Sequence, residues 1–345
     1  MEIAYIENRS HDFEIVKNVS LRQINPAALL KLRENSNTTF WLDELLFDMD
    51  FPVQYFRRIK SVSISLPCII GPYTSLNCIL SLVEHRTRVS ASSKSYVYQG
   101  RNDTRFRSEN IPISSIAISS GQSDAGVFEL NFTGERYLPF EGAGAISKWK
   151  LEFPAAHALF DYSTISDAIL HIRYTAIDGG MPLRQSANTA VANFIGMVKD
   201  TAAEGSESVT PTAMLDLKND YCNNWYSMLD RASVNTVKIT GLAERLPFFT
   251  KNLLVTMKGV ALFIRHKARK SAPKVVVLKP EGITLGASTD EALAVQGSVA
   301  VVANTDINVD IGTEWELRVE SGKEDLENVH VLFKYCVGKK AVPSQ

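Results

Sequence analysis

The side chains that could do chemistry in this sequence are its six histidines, four cysteines and numerous carboxylates. A metal site on a helix needs ligands three or four residues apart, so that they lie on one face. Asp161 follows His157 at that spacing, but the Ala-Leu-Phe between them is typical of a buried core segment. The sequence therefore predicts no metal site and no cofactor. Each histidine is expected to be exposed or hydrogen-bonded within the fold.

The cysteines, at positions 68, 78, 222 and 336, form no CxxC pair and no Cys/His spacing typical of zinc. Cys68 and Cys78 lie in apolar stretches, where a cysteine is usually a small buried hydrophobic residue. We therefore expect these two residues to be buried rather than joined in a disulfide.

The chain contains no GxSxG elbow, no P-loop and no dinucleotide-binding fingerprint, which are common motifs of catalytic and nucleotide-binding sites. Adjacent carboxylates such as Asp43 and Glu44 occur, but nothing distinguishes a catalytic pair among them. The sequence therefore predicts no catalytic residues and a chain that is not an enzyme. A hydrolase with a nucleophile and base from distant strands is a further alternative, without specific support.

The stretch Phe47–Lys60 is the first candidate for binding another protein. Aromatic side chains alternate there with charged ones, among them Arg57 and Arg58. Interfaces are enriched in aromatic residues and arginine, so we predict both arginines to be protein-binding residues. The alternative is a buried aromatic loop in which one of them pairs with Asp48 or Asp50.

The stretch Gly134–Gly142 is the second candidate. Arg136, Tyr137 and Glu141 lie on a long turn that follows a predicted strand, and we predict all three to be protein-binding residues. A loop that packs over the end of a sheet explains the same residues equally well.

Charge and hydropathy restrict the class of partner. The formal net charge is −1, from 37 basic and 38 acidic residues, which gives no reason to expect nucleic acid or an anionic membrane as partner. The segment Met1–Ser10 has no apolar run, so no secretory signal is expected in it. Leu253–Ile264 is interrupted by Lys258 and is shorter than the ~20 residues that span a bilayer. Protein partners or neutral ligands stay open, and direct membrane contact is not expected.

The candidate binding residues must be positioned by helices and strands, and hydrophobic periodicity predicts three helical regions. Apolar residues recur at helical spacings from Ile3 to Val16, which predicts a helix over Met1–Val19. A second helix is predicted over Pro26–Arg33, with Asn25 as its N-cap. A third is predicted over Pro182–Asp200 from a single apolar stripe.

A period of two elsewhere predicts strands, most clearly where Val62, Ile64 and Leu66 alternate with serines. The predicted strands are Ser61–Leu66, Asn77–Val89, Ser114–Ser119, Val127–Phe132, Lys148–Phe153, Ala168–Thr175, Thr236–Thr240, Leu253–Arg265, Lys274–Leu278, Glu314–Glu320 and Val329–Cys336. Short strands with turn signals between them favour antiparallel sheets over a parallel α/β sheet. The predicted fold is mainly β, with antiparallel β-sandwich-type sheets, an N-terminal helix and one or two short internal helices.

A chain of 345 residues is too long for one ordinary sandwich. We therefore predict a helical segment at 1–35, a first β unit at 36–180, a helix and linker at 181–211, and a second β unit at 212–345.

Several long motifs carry a family resemblance. They are VSLRQINPAALLKLR at 19–33, FRRIKSVSISLPCIIGPYTSLN at 56–77, SGQSDAGVFELNF at 120–132, ERYLPFEGAGAISKW at 135–149 and SDAILHIRYT at 166–175. In this order they resemble the C-terminal region of the TcA subunit of the bacterial Tc (toxin complex) insecticidal toxins. The resemblance covers residues 1–180. Beyond them it is restricted to short motifs such as Arg245–Phe249.

The resemblance implies that residues 36–345 together form a TcB-binding domain. In this family TcA is a pentameric translocation channel, and its C-terminal domains form a funnel that receives the β-propeller gate of a TcB–TcC component. The implied role is non-enzymatic docking in an extracellular toxin complex, with self-association as a pentamer in a full TcA context. By the same resemblance, the predicted helix Met1–Val19 would be the end of the pore-forming region. The family's shell and membrane-inserting hairpin are missing from this chain, so it is not expected to form a pore alone.

A lectin-like β-sandwich that binds host glycans is the alternative function. It would need exposed tryptophans on one face. The four tryptophans, at positions 41, 149, 225 and 315, lie on strands or among apolar neighbours, and we expect them to be buried.

Overall fold

The chain divides into two compact units, residues 1–194 and 195–345. The computed structural model describes residues 12–70, 76–91, 96–100, 102–109, 111, 114–120, 127–128, 138–154, 162–204, 212–230, 234–246, 250, 254–267, 271–286, 289–292, 298–304 and 307–338.

The described residues of the first unit form two antiparallel sheets and several helices. The strands are β1 Asp12–Ser20, β2 Asn37–Leu42, β3 Gln54–Ser65, β4 Leu76–Arg88, β5 Phe106–Arg107, β6 Ser115–Ser120, β7 Val127–Phe128, β8 Ile146–Glu152 and β9 Ile169–Asp178. The helices are α1 Leu21–Ile24, α2 Pro26–Asn35, α3 Glu44–Asp48 and α4 Gly180–Glu204, and a single 3-10 turn lies at Tyr162–Thr164. One sheet has the order β1-β9-β3-β7, and the other has the order β2-β8-β4-β5, with β6 also paired to β4.

The alternation that predicted β3 also sets its register. Val62 pairs with Ile172 and Ile64 with Leu170, and all four side chains are at most 5% exposed. Directly opposite residues point to the same face of an antiparallel pair, so the apolar sets of both strands enter one core. The predictions of β3 and β9 are confirmed.

The predicted N-terminal helix is wrong over residues 12–20. Strand β1 pairs with β9 from Asp12↔Ile177 to Ser20↔Ile169. Phe13 and Val16, two members of the predicted helical stripe, are 44% and 57% exposed. Pairing with β9 satisfies the backbone of this segment, and its β-branched residues suit a strand, so tertiary contacts override the helical spacing. Residues 1–11, the rest of the prediction, lie outside the described residues.

Helix α2 begins as predicted. The Asn25 side chain accepts a hydrogen bond from the backbone N–H of Ala28 at 3.1 Å, and Pro26 is the first helical residue. Ser36, in the left-handed region at φ 60°, ends the helix, and β2 follows at once. This strand was not predicted, although its residues alternate between exposed and buried.

Helix α4 confirms the predicted helix near residues 182–200 and is longer at both ends. Leu183 and Ala187 are its buried contacts, at 1% and 0% exposure. Within the part of the chain that the structure describes, no helix combines the length and apolarity needed to span a bilayer.

The described residues of the second unit also form two antiparallel sheets. The strands are β10 Thr212–Asp216, β11 Thr236–Ile239, β12 Leu254–His266, β13 Lys274–Lys279, β14 Thr289–Ala292, β15 Ser298–Asn304, β16 Val309–Asp310, β17 Trp315–Ser321 and β18 Leu326–Gly338. The helices are α5 Leu217–Asp220 and α6 Cys222–Asp230, and 3-10 turns lie at Leu242–Arg245 and Lys323–Asp325. The larger sheet has the order β10-β18-β12-β15-β14, with β16 on β12, and the smaller has the order β11-β17-β13.

The core of the second unit lies between its two sheets. The rings of Trp315 on β17 and Phe333 on β18 meet edge to face, with centroids 4.8 Å apart, and both side chains are fully buried. Such aromatic pairs stabilise a core by about 0.5–1.5 kcal/mol beyond the area they bury.

Candidate functional site

The two stretches predicted to bind protein lie side by side in the first unit. The Gly142 N–H donates to the Ile59 carbonyl at 2.9 Å, the Ile59 N–H donates to the Ala143 carbonyl at 2.7 Å, and the Ala145 N–H donates to the Arg57 carbonyl at 3.0 Å. Residues 54–60 and 138–145, which we call the paired ribbon, are therefore one backbone-bonded structure. Sequence reasoning predicted both stretches but not their contact.

The paired ribbon has an unusual backbone. Phe56 and Phe140 adopt φ angles of 52° and 67°, a left-handed region that bulky residues rarely enter. The ladder between β3 and β9 is irregular between Tyr55 and Arg58. Phe140 is fully buried and meets Trp149 edge to face, with ring centroids 4.9 Å apart, so aromatic packing stabilises the strained turn. Strained residues and bulges are concentrated at binding and catalytic sites.

Gly144 brings the paired ribbon against β4. A Cβ atom at this position would lie 2.1 Å from the Arg86 carbonyl oxygen, so only glycine fits. The Gly144 N–H donates to Nδ1 of His85 at 3.0 Å, which requires an unprotonated Nδ1. Burial lowers the pKa of His85, which favours the neutral ring that this bond needs.

Two of the predicted binding residues lie at the surface of the paired ribbon. The Arg58 side chain is 42% exposed; its Nε donates to the Gly142 carbonyl at 3.3 Å, and its guanidinium carbon lies 5.7 Å from the centroid of the Phe56 ring. Glu141 is exposed and accepts a hydrogen bond from the Leu138 N–H at 3.2 Å. Arg136 and Tyr137 lie outside the described residues.

Arg57 is placed differently, since its side chain is only 3% exposed. It donates to a carboxylate oxygen of Asp48 at 2.7 Å and to the Phe51 carbonyl at 2.9 Å, and it lies over the Phe47 ring. This is the buried pairing that the sequence left open as the alternative. Arg57 supports the paired ribbon from beneath.

A buried cluster of charges surrounds Arg57 and Asp48. Arg88 donates to both carboxylate oxygens of Glu44 at 2.7 Å and to the Tyr96 carbonyl at 2.7 Å. The Tyr96 hydroxyl donates to Asp48. Sequence reasoning missed Glu44, Arg88 and Tyr96 as members of this cluster, because the three residues are far apart in the chain and no local motif connects them.

Burial disfavours the charged form of Asp48 in this cluster. Burial is the main cause that raises the pKa of Asp48 to about 6, and the neighbouring Glu44 carboxylate adds to it. Arg57 and the hydrogen bond from Tyr96 act in the opposite direction and lower this pKa. The same burial, with the nearby carboxylates, holds the pKa of the Tyr96 hydroxyl well above its usual value. Tyr96 therefore stays a donor to Asp48.

We predict that Asp48→Asn changes the pH dependence of stability. A pKa raised to about 6 from 3.8 means that the folded state holds the Asp48 proton more tightly than the unfolded state. The associated stability is present below about pH 4 and is lost as the pH rises through about 6. At ~1.4 kcal/mol per pKa unit, the wild type should lose about 2.5 kcal/mol relative to Asp48→Asn between pH 4 and pH 7. Urea unfolding of both chains at several pH values measures this difference, and parallel curves would contradict the prediction.

The described histidines confirm the expectation of hydrogen-bonded residues. His171 contacts Ser65 and Asn18, each at 2.7 Å, and His266 contacts the Lys267 carbonyl at 3.2 Å. His11 and His157 lie outside the described residues. Cys78 is buried as predicted, with its pKa raised to about 12 by burial, whereas Cys68 is half-buried.

In the second unit, His330 belongs to a buried polar cluster with Asp216 and Asn328. The Asp216 carboxylate accepts from Asn328 Nδ2 at 3.0 Å, lies 3.4 Å from His330 Nε2 and caps α5 by accepting from the Asn219 N–H at 3.2 Å. These bonds connect β10 and α5 to β18, so the cluster has a structural role. Among the described residues, no group of three His, Cys, Asp or Glu side chains is placed to hold a metal ion.

Comparison with known proteins gives the family. The family model described as "Tc toxin complex TcA C-terminal TcB-binding domain" matches residues 1–176. Toxin subunit YenA2 of Yersinia entomophaga is 37% identical over 203 residues, which are 56% of this chain and 15% of that protein. The chain thus spans about 15% of the length of this curated relative.

Two solved structures are also similar to part of the chain. The cryo-EM structure of Yersinia pseudotuberculosis TcaA-TcaB has 25% identity and a TM-score of 0.32, over 50% of this chain and 10% of that chain. The cryo-EM structure of Morganella morganii TcdA4 has 24% identity and a TM-score of 0.33, over 50% of this chain and 8% of that chain. Because the family model matches just over half of its residues, this chain belongs to the TcA C-terminal TcB-binding domain family of Tc toxin complexes.

Proposed function

We propose that this chain is the docking module of a TcA-like toxin translocation subunit and binds the β-propeller gate of a TcB–TcC component in an extracellular toxin complex. The paired ribbon is the observation that supports this proposal most directly. Two stretches about eighty residues apart are joined by three backbone hydrogen bonds inside the family-matched region. They present charged side chains from a strained and bulged backbone.

The proposed contact surface has an exposed part and a supporting part. Arg58 and Glu141 are exposed on the paired ribbon, and Arg136 and Tyr137 belong to the stretch that leads into it. Arg57 holds the ribbon from below through Asp48. In typical interfaces, a few residues that are held in place by their neighbours account for most of the binding free energy, and arginine and tyrosine are frequent among them.

The lectin-like alternative has weaker support. Trp149, Trp225 and Trp315 are at most 1% exposed, which leaves Trp41, at 37%. The Trp41 ring already has the Lys148 ammonium 5.7 Å and the Arg86 guanidinium 5.4 Å from its centroid. A row of exposed tryptophan faces for sugar stacking is therefore absent from these four positions.

The test is a titration of the purified chain against a TcB–TcC component, with the native mass of the complex read by light scattering. Saturable binding is expected, with five copies of the chain per partner if the pentamer of a full TcA also forms here. A stable free oligomer that does not bind the partner would contradict docking, and hits on a glycan array would then favour the lectin-like role.

We predict that Arg58→Ala and Glu141→Ala each weaken partner binding by about 1–2 kcal/mol, or roughly 5–30-fold in Kd, as is typical of truncated interface residues. Arg136→Ala and Tyr137→Ala are tested in the same series, with Lys274→Ala as a control. Lys274 is 68% exposed, pairs with Glu320 at 2.7 Å and belongs to neither candidate stretch, so its change should leave the Kd unaltered. Unchanged affinity in all four test variants would show that the binding surface is elsewhere.

A further inference from the structure

A groove of about 650 Å³ lies beside the paired ribbon, and we call it the Arg86 groove. Its lining residues come from β2, β4, β5 and the segments that flank β5. The main ones are Trp41, Val83, His85, Arg86, Tyr98 and Phe106. The volume is within the ~300–1,000 Å³ range of protein binding pockets, which is enough to receive side chains of another molecule.

Aromatic rings hold Arg86 in place. Its guanidinium carbon lies 4.0 Å from the centroid of the Tyr98 ring, 5.4 Å from that of Trp41 and 6.0 Å from that of Phe106. Stacking on ring faces leaves the in-plane N–H groups of a guanidinium available for hydrogen bonds. The Nε of Arg86 is buried and has no hydrogen-bond partner.

The carboxylates of the groove are already paired with other cations. Glu84 lies 3.8 Å from Lys148, Asp103 pairs with Arg105, and Glu109 lies 3.5 Å from Arg107. Within the described part of the chain, no carboxylate lies within ion-pair distance of Arg86. A partly buried guanidinium in this situation is complementary to a carboxylate supplied from outside, because such charge-assisted bonds are stronger than neutral ones.

The Arg86 groove is continuous with the paired ribbon. The groove residue His85 accepts a hydrogen bond from Gly144 of the ribbon at 3.0 Å. The groove residue Glu109 has a carboxylate oxygen 4.0 Å from the Arg58 guanidinium. A partner that covers the exposed side of Arg58 would therefore also approach the mouth of the groove.

On the basis of the docking function proposed above, we propose that the Arg86 groove receives an Asp or Glu side chain of the TcB-type partner. The carboxylate pairs with the guanidinium of Arg86, and the rings of Trp41 and Tyr98 surround the ion pair. A neutral sugar fits the site less well because it leaves the Arg86 charge uncompensated.

A matched pair of substitutions at Val83 tests the charge of the occupant. Val83 lines the groove and is 49% exposed, so either replacement should leave the fold intact. Val83→Glu should raise the Kd for the TcB–TcC component at least tenfold, because it places a negative charge beside an acidic occupant. Val83→Lys should leave the Kd unchanged or lower it. Arg86→Met, which keeps the apolar contact with the rings, should also raise the Kd at least tenfold.

The outcomes separate this inference from the docking function itself. Failure of the wild-type chain to bind the TcB–TcC component would contradict both. Binding by the wild type that is unchanged in Val83→Glu and Arg86→Met would overturn the groove inference and leave docking intact. Equal weakening by Val83→Glu and Val83→Lys would show that the occupant is not acidic. Glycan-array binding that is lost in Arg86→Met would identify a sugar as the occupant instead. If Arg86→Met unfolds, the Val83 pair alone decides.

Discussion

Arg57→Leu is expected to lower the free energy of unfolding by about 3–5 kcal/mol at pH 7, because removing one partner of a buried ion pair leaves the other charge uncompensated. The side chains of Arg57 and Asp48 are 3% and 0% exposed, and their nearest N–O distance is 2.7 Å. Without Arg57, the Asp48 carboxylate keeps the hydrogen bond from the Tyr96 hydroxyl and faces the like charge of Glu44. Urea unfolding of both chains gives the difference.

Arg58→Leu is the matched control, since it makes the same change one residue away. The Arg58 side chain is 42% exposed and its ion pair with Glu109 spans 4.0 Å, so the effect on stability should be about 0.5 kcal/mol or less. Arg58→Leu should instead weaken partner binding, which distinguishes a contact residue from a supporting one.

A double mutant identifies the cause of the loss. Adding Asp48→Asn to Arg57→Leu removes the uncompensated charge and should recover part of the lost stability, a coupling that residues in contact typically show. Lowering the pH should also reduce the deficit of Arg57→Leu, because the folded variant takes up a proton at Asp48. Strict additivity of the two substitutions would mean that the loss comes from packing and not from the charge.

Gly144→Ala is expected to cost about 3 kcal/mol, the upper end of the usual range for overpacking. The added Cβ would lie 2.1 Å from the carbonyl oxygen of Arg86, which is backbone and cannot move aside like a flexible side chain. Relief of this clash must displace the turn 138–145, and with it Glu141. Both the free energy of unfolding and the affinity for the TcB–TcC component should therefore decrease.

Gly286→Ala is the control for the loss of a glycine as such. Its added Cβ would lie 3.2 Å from the Ala303 carbonyl oxygen, a contact that small shifts can relieve, so little change is expected. Wild-type stability and affinity in Gly144→Ala would show that β4 and the paired ribbon are not held together at this point.

The strands that a local pattern could predict are those with one buried face. Val62 and Ile64 alternate with serines on β3, and Leu170, Ile172 and Tyr174 alternate with polar residues on β9, so the period of two shows in the sequence. The start of α2 can also be predicted locally, because the Asn25 cap bonds to a residue only three positions later and Pro26 directly follows it. For these elements, local chemistry and the final fold agree.

Strand β1 shows why a local pattern can mislead. The apolar residues of this segment fit a helix by spacing, and two of the residues that defined the stripe are exposed. The outcome depends on β9, about 150 residues later, whose backbone pairs with β1 along its whole length. No window of the sequence near β1 contains that information.

Arg57 and Arg58 show the same limit at the candidate site. Composition favoured both as binding residues, but neighbouring residues of a strand point to opposite faces, so the Arg57 side chain lies in the core and the Arg58 side chain lies at the surface. Likewise, Arg86 lies among the rings of Tyr98, Phe106 and Trp41, and Trp41 comes from β2, a distant part of the chain. Amino-acid type and short-range periodicity decided the strands with one buried face, such as β3 and β9, and singled out two stretches as candidates for binding protein. Long-range backbone pairing decided which of their side chains are exposed and which lie side by side, because burial and proximity depend on residues that are not neighbours in sequence.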